Sequence, residues 1–350
     1  MVRSALLRPS LLIACAALLF LAGCSAIQTP KKPLPQNNTA SIEWPVGEEG
    51  GRITWVKTIA EFGEVKEKPG FWSRVATFFT GQQDTTSIAR PYGVLHGRGG
   101  RLYVADAGGG MVHCLDLLHG SYTTIGKGEL VSPIGLAEDD LGRLYITDSA
   151  RATVYRWEPA SQTLKPFLEK TLARPTGIAY SEVNKLLYIS DTLASQVVAV
   201  DQNGIVRRRL GGPSDGGSGF NRPTDITVDS IGEILVTDSL NFRIIVLTPE
   251  GQLVRQFGAV GDARGYFSRP KGIGVDSDKH TYVCDSLRDA VQVFDADGTP
   301  LLVFGKGGDG PGRFWMPSGI YVDSNDYIFV ADTYNRRIQV FRYTASQELR

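Results

Sequence analysis

Along most of the chain, apolar and polar positions alternate in runs of about five residues, a length that suits strands and is too short for helices. Between residues 270 and 304 the runs GIGVD, TYVCD, AVQVF and PLLVF follow one another, separated by the Gly, Asp and Ser residues that tight turns require. They predict a four-stranded unit with GIGVD innermost and PLLVF outermost. The unit recurs. Its opening proline falls on Pro91, Pro133, Pro175, Pro223, Pro270 and Pro317, at steps of 42, 42, 48, 47 and 47. An aspartate closing the second strand falls on Asp106, Asp148, Asp191, Asp238, Asp285 and Asp332, at steps of 42, 43, 47, 47 and 47. Two markers sharing a period in the forties, filled by strands and turns, predict a radial β-array in which each unit buries its faces against its neighbours.

The same alternation marks RITWVKTIAEFGE, residues 52–64, which ends in Phe62-Gly63 as the outer strands end in Phe257-Gly258 and Phe304-Gly305. The last unit lacks an outer strand, because the chain stops soon after RRIQVFRY, residues 336–343. The amino-terminal strand is therefore expected to complete the last blade and remove the free edges. Between residue 64 and Pro91 the period changes. Phe71, Trp72, Val75, Phe78 and Phe79 lie at i, i+1, i+4, i+7 and i+8, with Pro69-Gly70 before them and Gly81 after. This predicts one short inserted helix over residues 70–81, which needs a surface to lie on. With strands alternating in direction, the helix shares a face with the loops before Pro-x-Gly and after the aspartate. The apolar stripe suits a cap over the propeller's own surface, a docking element for a partner, or an element at a membrane interface.

Ahead of these strands, Arg3 and Arg8 precede an apolar run, Leu11 to Leu21, that is too short to span a bilayer stably and reads as a secretory segment. Its end, Leu21-Ala22-Gly23-Cys24, resembles a bacterial lipobox. The resemblance implies cleavage before Cys24 and acylation of that residue, so that palmitate or a similar chain anchors the protein to a membrane. Ser25 after the cysteine implies outer-membrane sorting in a Gram-negative cell, facing periplasm or cell surface. The expected organisation is a lipoprotein signal peptide at 1–23, a flexible tether at 24–51 rich in Pro, Asn, Lys and Glu, the propeller at 52–343 and a tail at 344–350.

Charge narrows the partners. The chain has 37 basic and 37 acidic residues, a net charge of zero, and so no general field that recruits nucleic acid. Of four cysteines, Cys15 leaves with the leader and Cys24 is the lipidation site. Cys114 and Cys284 occupy unlike positions in units that are not neighbours, and read as small buried thiols.

The consensus RP-x-G-I-x-V-D, Y-V-x-D-[ST]-x-N-x-R-[IV]-x-V-F and G-x-F-x-x-P is clearest in residues 265–294 and 312–341. It resembles the NHL repeat, and six copies from about Arg52 to Tyr343 imply an all-β, six-bladed β-propeller. Gly108-Gly109-Gly110 in the first unit and Ser132 in the second depart from it.

Repetition sorts scaffold from site. An aspartate present in every unit serves what every unit needs, and at a strand end it can accept backbone N–H groups. Arg90, Arg174, Arg222 and Arg269, just before proline, lie on the same face and could pair with those carboxylates. Candidate binding residues lie where the units differ. Asp225 replaces the glycine of Pro-x-Gly beside Thr224, while Tyr92 and Lys271 vary the middle position. Asn241, Arg288, Tyr334 and Arg336 vary the turn after the aspartate. Together with Arg174, Arg222 and Arg269 they predict an uneven, mixed-charge mouth over a central channel, suited to a polar ligand or a peptide segment.

No catalytic constellation accompanies this mouth. His96, His113, His119 and His280 share no repeat position, and the chain has no nucleophile elbow, phosphate loop or dinucleotide fingerprint. Calcium or another divalent ion on Asp225 and rim aspartates would leave no linear motif, since its oxygen ligands would come from separate blades. The expectation is a non-catalytic envelope lipoprotein that binds a protein or glycan. The alternative is a metal-assisted lyase or lactonase, since related six-bladed propellers include metal-dependent lactonases and an amidating lyase.

Overall fold

The computed structural model describes residues 42–46, 51–60, 87–211 and 219–345. Apart from two three-residue 3₁₀ turns, Arg98–Gly100 and Ser239–Asn241, these residues form strands and connections. Five antiparallel four-stranded sheets cover residues 91–125, 133–168, 175–210, 223–257 and 270–304, blades 1 to 5. The sixth combines residues 320–344 with the amino-terminal strands. The fold is a six-bladed β-propeller of NHL type. Within blade 5 the order Pro270–Val275, Thr281–Asp285, Ala290–Phe294, Pro300–Phe304 is the order expected from the apolar pattern.

The ring closes as the sequence implied. Gly51–Ile59 pairs antiparallel with Arg337–Thr344, from Arg52 opposite Thr344 to Ile59 opposite Ile338. The tether boundary at residue 51 needs correction. Glu43–Val46 adds a fifth, outermost strand to this blade, with Trp44 opposite Ile53. Pro45 and the polar surroundings disguise the segment, yet an edge strand tolerates proline because its outer N–H groups need no partner. Trp44 holds it down, with its ring 5.6 Å from Phe304 and 5.9 Å from Phe341. The signal peptide, Cys24 and the helix expected at 70–81 lie outside the described residues. Among the described residues, no helix is long and apolar enough to cross a membrane.

The core lies between blades. Second strands contribute Tyr103, Tyr145, Tyr188 and Tyr282, all fully buried. Ile53, Phe304, Phe314, Phe341 and Tyr343 knit blades 5 and 6 into one cluster. Each such side chain contributes about 1.5–3 kcal/mol by leaving water. Cys284 is buried and Cys114 half-buried, and both are free thiols.

The repeated aspartates hold the ends of the blades. Asp285 is fully buried and accepts the N–H groups of Ser268 at 2.8 Å and Arg269 at 2.7 Å, fixing the incoming chain just before its proline. Asp106 does the same for Ala89 and Arg90, and also accepts from Gly108 and Gly109 of its own turn. Burial pushes the Asp106 carboxyl up, but the His113 and backbone hydrogen bonds outweigh it and hold the group at about 2. The expectation that the pre-proline arginine side chains pair with these carboxylates is corrected: Arg90, Arg174 and Arg269 contribute main-chain N–H groups. The cation at the carboxylate comes instead from the strand that follows, as Arg243 does at Asp238 and Arg337 at Asp332. The hydroxyl after the aspartate links blades. Ser149, Thr192 and Ser239 each donate to the proline carbonyl of the next blade at 2.7 Å.

Candidate functional site

Each of the five inner strands that begin at the Pro-x-Gly proline in blades 1 to 5 carries a β-bulge within the two or three residues after that proline. A bulge adds one unpaired residue and re-aims the side chains beside it. The positions where the units differ, Tyr92, Thr224, Asp225 and Lys271, therefore sit in or beside the bulges, at one end of the channel. The glycine of the motif has a packing reason. A Cβ on Gly93, Gly135, Gly272 or Gly319 would strike a backbone carbonyl of the adjacent inner strand. Glycine lets neighbouring inner strands touch, as the hydrogen bond from Gly319 N–H to the Tyr92 carbonyl at 3.0 Å shows at the seam of the ring.

Asp225 occupies that glycine position in blade 4. Its Oδ2 accepts the Ile273 N–H of blade 5 at 3.3 Å, so the side chain takes an inter-blade contact that main chain makes elsewhere. Thr224 reinforces the seam by donating to the Lys271 carbonyl at 3.3 Å. Asp225 lines the channel, whose volume is about 260 Å³ and whose wall is otherwise made largely of aliphatic and glycine residues. Burial pushes its carboxyl up to about 7, opposed by the backbone donors of Ile226 and Ile273.

Across the mouth, Lys271 Nζ lies 5.7 Å from the centre of the Tyr92 ring, within range of a cation–π contact. Burial lowers the ammonium's affinity for its proton, and the charges of Arg269 and Arg90 lower it further. Burial raises the Tyr92 hydroxyl to about 12, with Asp225 adding to the rise and Arg174, Arg269 and Arg90 opposing it. These mutual effects bring Tyr92, Asp225, Lys271 and the three arginines into one field.

The other expected residues part from this group. Arg288 is absorbed by the scaffold: its guanidinium donates to the Gly261 carbonyl at 2.8 Å and lies 3.5 Å from Asp285, pinning the loop that leads into blade 5. Asn241 donates to Asp238 at 2.8 Å. Tyr334 is half exposed and packs on Trp315 at 5.5 Å, while Arg336 is exposed on a left-handed turn. Arg222 also has a left-handed backbone and is half-buried.

The opposite mouth was not singled out from sequence. There His96, Arg98, Glu138, Glu182 and Asp323 line an opening of about 500 Å³. His96 Nδ1 lies 2.7 Å from Asp323, and Arg98 is paired with Glu182. The signal was present five residues after each opening proline, where His96, Glu138 and Tyr180 in blades 1 to 3 replace Val228, Val275 and Val322 in blades 4 to 6.

A profile of the SMP-30/Gluconolactonase/LRE-like region matches residues 77–262, more than half of the chain. The chain belongs to the SMP-30/Gluconolactonase/LRE-like family. The NHL repeat profile matches residues 314–341. Among solved structures, an auxiliary nutrient binding protein from Bacteroides thetaiotaomicron superposes with a TM-score of 0.60 at 15% identity, over 84% of this chain and 83% of that one. Virginiamycin B lyase from Staphylococcus aureus superposes at 0.56 and 17% identity, over 74% and 96%. At such identities these likenesses show the shared fold.

Membership of the SMP-30/Gluconolactonase/LRE-like family, in a fold that includes metal-dependent lactonases, implies a divalent ion in the channel. The described residues do not fit one. No three His, Cys, Asp or Glu side chains among them are grouped so as to hold a metal. The rim aspartates accept backbone donors, and at the far mouth Asp323 and Glu182 are taken by His96 and Arg98. Asp225 stands alone on its stretch of wall.

Proposed function

We propose that this protein is a non-catalytic binding lipoprotein of a bacterial cell envelope, anchored through Cys24, that holds a protein or glycan partner at the channel mouth bearing Tyr92, Asp225 and Lys271. One observation carries the reading. Positions shared by all blades are consumed in hydrogen bonds that build the ring, while Tyr92, Asp225 and Lys271, three positions at which blades differ, lie together at one opening. Pull-down from envelope extracts tests it: Lys271→Ala and Tyr92→Ala should each weaken capture of the partner. An unchanged set of captured partners with both variants places the binding face elsewhere. Replacement of Cys24 by Ser should abolish incorporation of a fatty-acid probe and release the protein from membranes.

Family membership favours a second reading, a metal-assisted lyase or lactonase working in the channel around Asp225. A stoichiometric divalent ion in the purified protein, lost on Asp225→Asn together with lactone hydrolysis or bond-cleaving activity, would establish that reading in place of the first.

A further inference from the structure

We propose that the mouth is an oxyanion site: a carboxylate or phosphate group of the ligand seats among the side chains of Arg90, Arg174, Arg269 and Lys271. The inference rests on the binding reading above and names the chemistry it would recognise. Its first support is that none of these four cations has an ion pair or a side-chain hydrogen bond among the described residues. Elsewhere, Arg98, Arg143, Arg243, Arg255, Arg288 and Arg337 each have a carboxylate, whereas the exposed Arg151, Arg264 and Arg336 have none among the described residues. The scaffold uses only the main chain of Arg90, Arg174 and Arg269, and among the described residues their exposed guanidinium groups are uncommitted.

The second support is crowding of like charge. Lys271 Nζ lies 5.7 Å from the centre of the Tyr92 ring, so the segment that follows Arg90 meets the segment that follows Arg269 across the mouth; the charges of Arg269 and Arg90 act on Lys271, and those of Arg174, Arg269 and Arg90 on Tyr92. Asp225 shares this mouth, but among the described residues it forms no ion pair with any of the four, and its Oδ2 accepts the Ile273 N–H instead. Cations gathered at the mouth of a channel with low-dielectric walls focus the field on an anion that enters. Guanidinium groups suit an oxyanion because they can donate two parallel hydrogen bonds to it. An incoming anion would relieve the mutual repulsion, so binding should stabilise the fold as well.

The test is calorimetric titration of the purified protein with citrate as the carboxylate probe, pyrophosphate as the phosphate probe and glycerol as the neutral control. Expected are saturable binding of at least one anion, none of glycerol, and loss of affinity on raising NaCl to about 0.5 M. Arg174→Ala and Lys271→Ala should each weaken binding about fivefold or more. Arg98→Ala, at the opposite mouth, should leave it unchanged. At pH 8, Asp225→Asn should tighten binding by removing a negative charge from the field. No saturable binding of either anion, or an equal loss with Arg98→Ala, overturns the proposal. Capture of a partner without anion binding would leave the binding reading standing and remove this inference. Anion binding without a captured partner would do the reverse.

Discussion

Seven aspartates illustrate how one residue type divides between scaffold and site. Asp106, Asp148, Asp191, Asp238, Asp285 and Asp332 are buried at equivalent strand ends, whereas Asp225 faces the channel from a glycine position. Replacing Asp285 by Ala removes the acceptor for the Ser268 and Arg269 N–H groups and the carboxylate beside Arg288. We expect a loss of about 3 kcal/mol in urea denaturation, since buried donors left unmade cost about 1–3 kcal/mol each. A loss below about 1 kcal/mol would show that water replaces the carboxylate. Asp225 acts in the opposite sense. Its carboxyl titrates at about 7 in the folded protein against 3.8 ordinarily, so the native state holds a proton that the unfolded chain releases. Stability attributable to this group is therefore greatest below about pH 4, declines as pH rises toward 7, and stays at its reduced level above. Asp225→Asn keeps an acceptor for Ile273, and thermal denaturation should show it more stable than the parent at pH 8 by about 1–3 kcal/mol, the difference vanishing near pH 4. An equal effect at both pH values would mean that ionisation is not the cause. Comparison of the repeats marks Asp225, which lines the channel. It marks Arg288 in the same way, because a departure from consensus looks the same whether the side chain faces the mouth or clamps a loop.

At the scale of strands, two features decide how the ring holds together. The Pro-x-Gly glycines allow backbone contact between inner strands, so Gly319→Ala should force the last and first blades apart where Gly319 N–H meets the Tyr92 carbonyl. The expected cost is about 1–3 kcal/mol in urea denaturation, the range for overpacked cores. Gly128→Ala is the comparator: Gly128 has a positive φ and open space around it, so its replacement shows the cost of backbone strain without crowding. The second feature is the outer strand Glu43–Val46. Trp44→Ala removes its aromatic contacts with Phe304 and Phe341, and limited proteolysis should then cut ahead of residue 51 faster than in the parent while the rest of the ring resists. Unchanged cleavage would show that main-chain pairing with Gly51–Ile59 suffices to hold the strand. The bulges that aim Tyr92, Thr224, Asp225 and Lys271 were invisible in the apolar pattern, because a bulge changes pairing and leaves composition alone.

For the whole molecule, closure by the Gly51–Ile59 strand turns six units into a ring with two unlike mouths. One gathers cations without an ion pair among the described residues around Tyr92, Lys271 and Asp225, and the other carries Glu138, Glu182 and Asp323 with His96 and Arg98. The chain is neutral overall, so this polarity belongs to the arrangement and not to the composition. The sequence by itself determined the period, the number of blades, the order of strands within each and the closure of the ring. Those follow from local alternation and from a repeat long enough to be counted. It also marked most positions where the blades differ. Tertiary structure alone decided which of those positions share a mouth, which cations have no carboxylate among the described residues, and that a fifth strand joins the last blade. Thr224 and Lys271, 47 residues apart, meet only because neighbouring blades pack side by side, and Tyr92 reaches Lys271 only when the ring is closed. The pairing of a charge depends on its neighbours in space, which a one-dimensional pattern does not specify.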